Sequence, residues 1–347
     1  MTQYVHQLSP FALQFTETFG IRWYGLAYLA GFIIAYLFID SMAKKSKILL
    51  SREQVSDFIT YGAIGVLAGG RIGYALFYSP ELLTQFSSSF PFWGVLEVHR
   101  GGMSSHGGIL GVLVACYVYG RRHQIPGLHL LDLTTYAGAL GFFFGRLANF
   151  VNGELYGREA PSTLSWAVKF PQEIYHWGAG EIEKLKSLAP AAQAVGFDSQ
   201  QWLDLVNRYD GAAREQINHV KEMIVSGAQN GSPQLIEALQ LALTPRYPSQ
   251  LIQALLEGFL VFLVLVYISR KPLKIGVLSG AFGFGYCIAR IVGEQYRLPD
   301  YGIGFQWLGL TRGQWLSIGM AFVALAILIY HIRKPGDKVG GWGKSRN

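Results

Sequence analysis

Seven apolar runs, each close to 20 residues long, constrain this chain of 347 residues more than any other feature. They lie at about 18–40, 55–78, 103–120, 130–151, 250–269, 275–296 and 314–332. Coiled as an α-helix, a run of that length matches the hydrocarbon thickness of a bilayer. The chain therefore reads as an all-α integral membrane protein with seven transmembrane helices. Composition agrees. Charged residues make up 15%, where a soluble domain carries roughly 25%, and mean hydropathy is +0.26. Too little charge and 42 glycines exclude a disordered chain or a coiled coil, and two cysteines exclude a disulfide scaffold. The first run has no basic segment ahead of it and outlasts a signal-peptide core, so it reads as an uncleaved span.

Basic residues alternate between the connections. Lys44, Lys45, Lys47 and Arg52 follow the first run, Arg121 and Arg122 the third, and Arg270, Lys271 and Lys274 the fifth. The tail carries Arg333, Lys334, Lys338, Lys344 and Arg346. The other connections are poor in Lys and Arg: residues 1–17 have none, 79–102 only Arg100, and 297–313 only Arg297 and Arg312. The positive-inside rule then places the N-terminus outside and the C-terminus in the cytoplasm, and an odd number of spans requires the same. The net charge of +7 is thus a topology signal, and no nucleic-acid partner is expected.

One long connection, 159–246, falls outside by this count. It holds 17 of the 51 charged residues, so it belongs in water. The stretches GEIEKLKSLAPAAQAV, SQQWLDLVNRY and PQLIEALQLALT have helical periodicity, which predicts a small, mainly helical extracytoplasmic insertion. The expected organisation is membrane domain 1–158 with spans one to four, insertion 159–246, and membrane domain 247–347 with spans five to seven and a cytoplasmic tail. Cys116 and Cys287 both fall inside spans, as small packing residues.

Ionisable residues inside spans are costly and need a reason: an arginine at mid-membrane costs about 2.5–3.5 kcal/mol on insertion scales. The candidates are Arg71, Arg146, Glu154, Glu257, Arg290 and Glu294. With the directions above, Arg71, Arg146, Arg290 and Glu294 lie toward the outer ends of their spans. His106 and Tyr24 start theirs there. Each has a plainer reading: a snorkelling side chain, a structural Arg290–Glu294 ion pair four residues apart, an interfacial tyrosine, or glycines for close helix packing. Those readings leave unexplained why three arginines, two acids and a histidine share one side. The role of Glu257 stays open.

Such a set suits an anionic lipid headgroup. Guanidinium groups grip phosphate oxygens at two points and stabilise charge on a departing phosphate, and a histidine accepts a proton near neutral pH. No metal or cofactor is expected, because HExxH, Cys-pair, GxSxG and Walker patterns are all missing. A lipid or anion transporter would also use arginines on several helices, but it predicts polar residues in both leaflets and inverted repeats; beyond Asp132 the inner halves show little of that. An intramembrane protease or phosphotransferase would need a Ser/His or paired-Asp set that the chain lacks.

Ordered segments carry a closer likeness: RWYGLAYLAGF (22–32), GGRIGYALFY (69–78), RGGMSSHGGILG (100–111), GRLANFVNGELYGR (145–158), YPSQL (247–251), YCIARIVGEQYRLPD (286–300) and GQWLS (313–317). The sequence resembles the prolipoprotein diacylglyceryl transferase family across all seven runs, most of 175–240 excepted. The resemblance implies a multi-pass enzyme of the bacterial cytoplasmic (inner) membrane with its active site toward the outer leaflet. Its partners would be phosphatidylglycerol, the lipobox cysteine of an exported prolipoprotein, and the bilayer itself. The diacylglyceryl group moves to the thiol as a thioether, and glycerol phosphate leaves.

By motif position the resemblance makes Arg146, Arg290 and His106 the catalytic residues. Tyr24, Gly101, Gly102, Gly107, Asn149, Glu154, Gly157, Tyr286 and Glu294 become substrate-binding residues, and Arg71 joins them from the charge reading. A thiol of pKa about 8.5 must become thiolate to react well, and His106 is the expected base. The chain departs from the pattern at Tyr247, Ile252 and Gln253, where HPSQLYE is common, at Arg100, where an acid is common, and in a long insertion. These departures bear on substrate positioning more than on the core chemistry.

Overall fold

The computed structural model describes residues 3–16, 20–97, 101–299 and 304–343; Arg100 lies outside them. The chain is mostly helical. Helices occupy all seven apolar runs: α1 (Trp23–Lys44), α2 (Arg52–Phe77), α3 (Ser105–His123) and α4 (Gly127–Asn152) come first. Five shorter helices follow, α5 (Ile182–Lys186), α6 (Ala189–Ala194), α7 (Ser199–Arg208), α8 (Gly211–Gln229) and α9 (Pro233–Ala242). The fifth run is α10 (Ser249–Gln253), a π-helical segment (Ala254–Leu260) and α11 (Val261–Ile268), then come α12 (Val277–Gly293) and α13 (Arg312–Arg333). Among the described residues three helices are both long and apolar enough to cross a membrane: Trp23–Lys44, Ser249–Ile268 and Arg312–Arg333, with α12 a shorter apolar helix. Large side chains on α13, among them Leu316, Met320, Phe322, Val323 and Ile327, stand exposed. A row of that size belongs against lipid, and this is a mostly helical membrane protein.

Helix boundaries follow local chemistry. Ser51 and Gln54 form a capping box at α2, and Ser104 accepts the Gly107 amide at α3. Arg121, Arg122 and His123 occupy the last turn of α3, where cations suit the helix dipole. Asp198 and Asp210 cap α7 and α8. Among the described residues three short two-stranded pairings accompany the helices: β1 (Tyr4–Val5) parallel to β4 (Val168–Lys169), β2 (Phe11–Gln14) antiparallel to β3 (Gly20–Arg22), and β5 (Pro272–Lys274) antiparallel to β6 (Lys338–Gly340). Strands of two to four residues are too short to display an alternating pattern.

The chain divides into two compact units. One comprises Met1–Tyr28, Phe143–Leu256 and Ala289–Leu316; the other comprises Leu29–Phe142, Glu257–Ile288 and Ser317–Asn347. The first unit has a hydrophobic core of its own, in which Trp202, Leu185, Leu188, Ile217, Val220, Ile224 and Leu239 are fully buried with Val5 of β1 against them. Helix α8, the longest part of that core, lies between the stretches whose periodicity stood out. In the second unit α2 and α3 meet backbone to backbone. A Cβ on Gly69 would strike the Gly107 carbonyl, and one on Gly73 would come within 2.8 Å of the Gly107 Cα. Small residues spaced four apart on both helices permit that approach.

Candidate functional site

The segment 145–158 belongs to the first unit. Helix α4 ends at Asn152, and Gly153 takes a left-handed conformation with φ of +68°. Gly153 N–H donates to Phe150 O at 2.9 Å, and Glu154 N–H donates to Asn149 O at 3.1 Å. This pair of bonds is a Schellman turn, which throws the chain back along the helix it has just left. Glu154 is thereby returned to the face of α4 that carries Asn149. The Asn149 amide donates to Glu154 Oε1 at 2.9 Å and to the Tyr24 hydroxyl, and that hydroxyl donates to Glu154 Oε1. Arg146, one turn before Asn149 and half-buried, lies within electrostatic reach of the Tyr24 hydroxyl.

The backbone of the turn is pinned from behind. Gln250 Nε2 donates to Glu154 O at 2.7 Å and Ser249 Oγ to Leu155 O at 3.0 Å. Both residues belong to the YPSQL segment and are fully buried. Gly157 N–H donates to Tyr247 O at 3.0 Å, and a Cβ at Gly157 would collide with the carbonyls of Tyr247 and Tyr296. The glycine is thus demanded by two backbones that close on it. Tyr247, one of the departures, serves the turn through its carbonyl, which any residue supplies. Gln253, another departure, is completely buried.

Arg290 and Glu294 form an ion pair at 3.7 Å, and Arg297 approaches the same carboxylate at 4.0 Å. Thr311 Oγ1 donates to Glu294 Oε1 at 3.2 Å. Arg158 ties this group to the turn: its Nε donates to Arg297 O at 2.9 Å and its Nη2 to Glu294 O at 3.1 Å. Arg158 and Arg297 carry a signal in the sequence: each is a second arginine inside one of the family-like segments, 145–158 and 286–300. Arg246 bonds the buried Glu173 carboxylate, sits 5.0 Å from the Tyr156 ring and donates to Gly157 O at 3.3 Å. Burial raises the Glu173 carboxyl above its usual range, against the pull of Arg246.

The second unit holds the remaining predicted residues. His106 lies exposed in the first turn of α3, with Gly107 buried against α2. Gly101 and Gly102 both have φ of +82°. Arg71 is buried and donates to five backbone carbonyls between Gly94 and Gly102. Tyr286 stacks on Phe142 at 4.4 Å and on Phe282 at 6.2 Å. Glu257, whose role was open, is fully buried in the π-helical segment. Among the described residues no three His, Cys, Asp or Glu side chains gather as metal ligands.

The family profile for prolipoprotein diacylglyceryl transferase matches residues 10–330. The chain belongs to the prolipoprotein diacylglyceryl transferase family. Within it, the phosphatidylglycerol–prolipoprotein diacylglyceryl transferase of Bdellovibrio bacteriovorus is 49% identical over 345 residues, covering 99% of this chain and 98% of that protein. The enzyme of the same name from Rhodospirillum centenum is 36% identical over 312 residues, covering 89% and 87%. That from Ralstonia pickettii is 34% identical over 334 residues, covering 95% and 96%. Every segment that forms the Tyr24–Asn149–Glu154 knot and the Arg290–Glu294 pair falls inside the part matched by the transferase family profile.

Proposed function

We propose that this protein is an enzyme that transfers the diacylglyceryl group of phosphatidylglycerol to the lipobox cysteine of a prolipoprotein, in the first step of bacterial lipoprotein maturation. The observation that carries the reading is the Schellman turn at the end of α4. It fixes Asn149, Glu154 and Tyr24 as one hydrogen-bonded group beside Arg146, within a chain related over nearly its full length to transferases of that name.

In this reading the prolipoprotein sulfur attacks the glycerol carbon next to the phosphate. The S–C bond forms, the C–O bond breaks, and glycerol phosphate departs with the electron pair. Arg146 and Arg290 stabilise the charge that collects on the departing phosphate. Glu154 and Glu294 orient the arginines and limit the positive charge of the site. His106 accepts the thiol proton. Tyr24, Asn149, Gly101, Gly102, Gly107, Gly157 and Tyr286 shape the substrate sites. Neither cysteine of the chain takes part, since the nucleophile is the substrate's.

The proposed setting is the bacterial cytoplasmic membrane, crossed seven times, with the N-terminus outside, the C-terminus in the cytoplasm and residues 159–246 as an extracytoplasmic insertion between membrane domains 1–158 and 247–347. The alternation of Lys and Arg supports that orientation. The test is mass spectrometry of a lipobox peptide incubated with the purified protein and phosphatidylglycerol. The expected result is one added diacylglyceryl group on the cysteine. An unmodified peptide with well-folded protein overturns the reading.

A further inference from the structure

A guanidinium carries five N–H donors, and all five of Arg71 are in use. Nε donates to Val95 O at 2.7 Å. Nη1 donates to Gly101 O at 2.5 Å and Gly102 O at 3.0 Å. Nη2 donates to Gly94 O at 2.9 Å and Glu97 O at 3.2 Å. The residue is 6% exposed, so its charge is answered by carbonyl dipoles and no donor remains for a phosphate. The geometry points to Arg71 as a positioning residue that fixes the entry of α3, and with it His106, instead of a ligand of the lipid headgroup. This inference rests on the transferase reading for the role of His106.

The carbonyls converge because the backbone is built to turn them inward. Gly101 and Gly102 are both left-handed, and a Cβ on Gly102 would press on the Tyr74 ring. That ring also lies 5.6 Å from the Arg71 guanidinium. Directly after the clasped loop, Ser104 N–H donates to Gly70 O at 2.9 Å, the residue before Arg71. Ser104 Oγ then accepts Gly107 N–H at 3.2 Å, which starts α3. His106 is the second residue of that helix. Arg71 sets the loop, the loop sets the cap, and the cap sets the first turn.

Lysine keeps the charge but offers three donors from one point, so it cannot span carbonyls on both sides of the loop. In Arg71→Lys we expect amide hydrogen exchange at Ser104, Gly107 and Gly108 to quicken by on the order of ten-fold or more, with α8 unchanged. Transfer to a lipobox peptide should lose about ten-fold or more in kcat, with KM for phosphatidylglycerol within about two-fold. Adding His106→Gln should then cost clearly less than it does in the wild type, because both changes act on one group. Loss of active protein alone would leave the two effects multiplicative. Gly102→Ala, which disturbs the same loop and spares the guanidinium, should likewise quicken exchange at Ser104, Gly107 and Gly108. A raised KM with kcat retained makes Arg71 a phosphate ligand and overturns the inference, as do unchanged exchange at α3 or fully multiplicative effects. Should the wild type fail to modify the peptide, the transferase reading falls, while the exchange measurement still decides whether Arg71 holds the start of α3.

Discussion

Asn149 and Glu154 are five residues apart in the chain, and their side chains are hydrogen-bonded at 2.9 Å. A straight helix would put them on different faces, since i and i+5 are not neighbours. The reversal at Gly153 brings them together, so that glycine is worth more than its own contacts. Gly153 has φ of +68°, and a Cβ there would collide with the Gln172 side chain. Gly153→Ala should therefore lower transfer by at least about ten-fold, since left-handed strain of about 1–2 kcal/mol adds to the collision. Gly196 is also left-handed, at φ of +85°, with open space around its Cβ position. Gly196→Ala pays strain alone and should keep transfer within about two-fold of wild type. Equal losses in both variants would show that the turn at Gly153 has no special part in the site.

Much of this arrangement was legible in the sequence, for physical reasons that also mark the limits. The apolar runs announced the long helices, because a span must satisfy its backbone internally and advertise its length. The ionisable residues within them marked Glu154, which is hydrogen-bonded to Asn149 and Tyr24, and the Arg290–Glu294 ion pair. What could not be read was how each arginine spends its donors. As a charge inside an apolar run Arg71 looks like any other, yet its guanidinium is held by five backbone carbonyls, which only the loop geometry reveals. The buried Arg246–Glu173 pair was hidden because an arginine and a glutamate in a charged insertion carry no mark of burial.

Arg146 separates phosphate recognition from anchoring at the membrane surface. A snorkelling arginine tolerates lysine, whereas a two-point grip on phosphate does not. Charge-assisted contacts are worth about 1.5–3 kcal/mol each, so Arg146→Lys should slow turnover at saturating phosphatidylglycerol by about ten- to a hundred-fold. Arg290→Lys should behave likewise. Arg122 is exposed and donates to the Tyr61 hydroxyl at 2.9 Å, and Arg122→Lys should be silent. Near wild-type turnover for Arg146→Lys would remove it from the chemistry.

Both cysteines are buried and unbridged. Because the sulfur that reacts belongs to the prolipoprotein, the double variant Cys116→Ala, Cys287→Ala should keep most of the transfer activity. Loss of turnover in double-variant protein with wild-type thermal stability would point to a covalent enzyme intermediate.

The same cysteine-free background reports sidedness. Gln200 is exposed on α7, and a Gln200→Cys variant in intact cells should react with a membrane-impermeant maleimide without permeabilising the inner membrane. The positive-inside count requires this. Labelling that appears only after the inner membrane is opened would invert the orientation and move the site to the other leaflet.

The last prediction concerns the N-terminal strand. His6 is completely buried, with ring centroids of Phe150 and Phe170 each 5.4 Å away. Burial lowers its pKa from 6.5 to about 4. Between those values the unfolded segment takes up a proton that the folded one refuses, so stability falls as pH drops through 6.5 toward 4. From pH 6.5 to 5 the loss amounts to about 2 kcal/mol at 1.36 kcal/mol per unit. Glu173, whose carboxyl is raised, works in the opposite direction over part of this range, so the wild type alone does not isolate His6. The comparison with His6→Phe does. His6 N–H donates to Lys169 O at 2.8 Å, and β1 pairs with β4 at Val168 and Lys169, so the amides there report release of the strand. Their exchange, corrected for intrinsic pH dependence, should lose on the order of ten-fold protection between pH 7 and 5 in the wild type and much less in His6→Phe. The same loss in both proteins would show that His6 does not set the acid sensitivity of this strand.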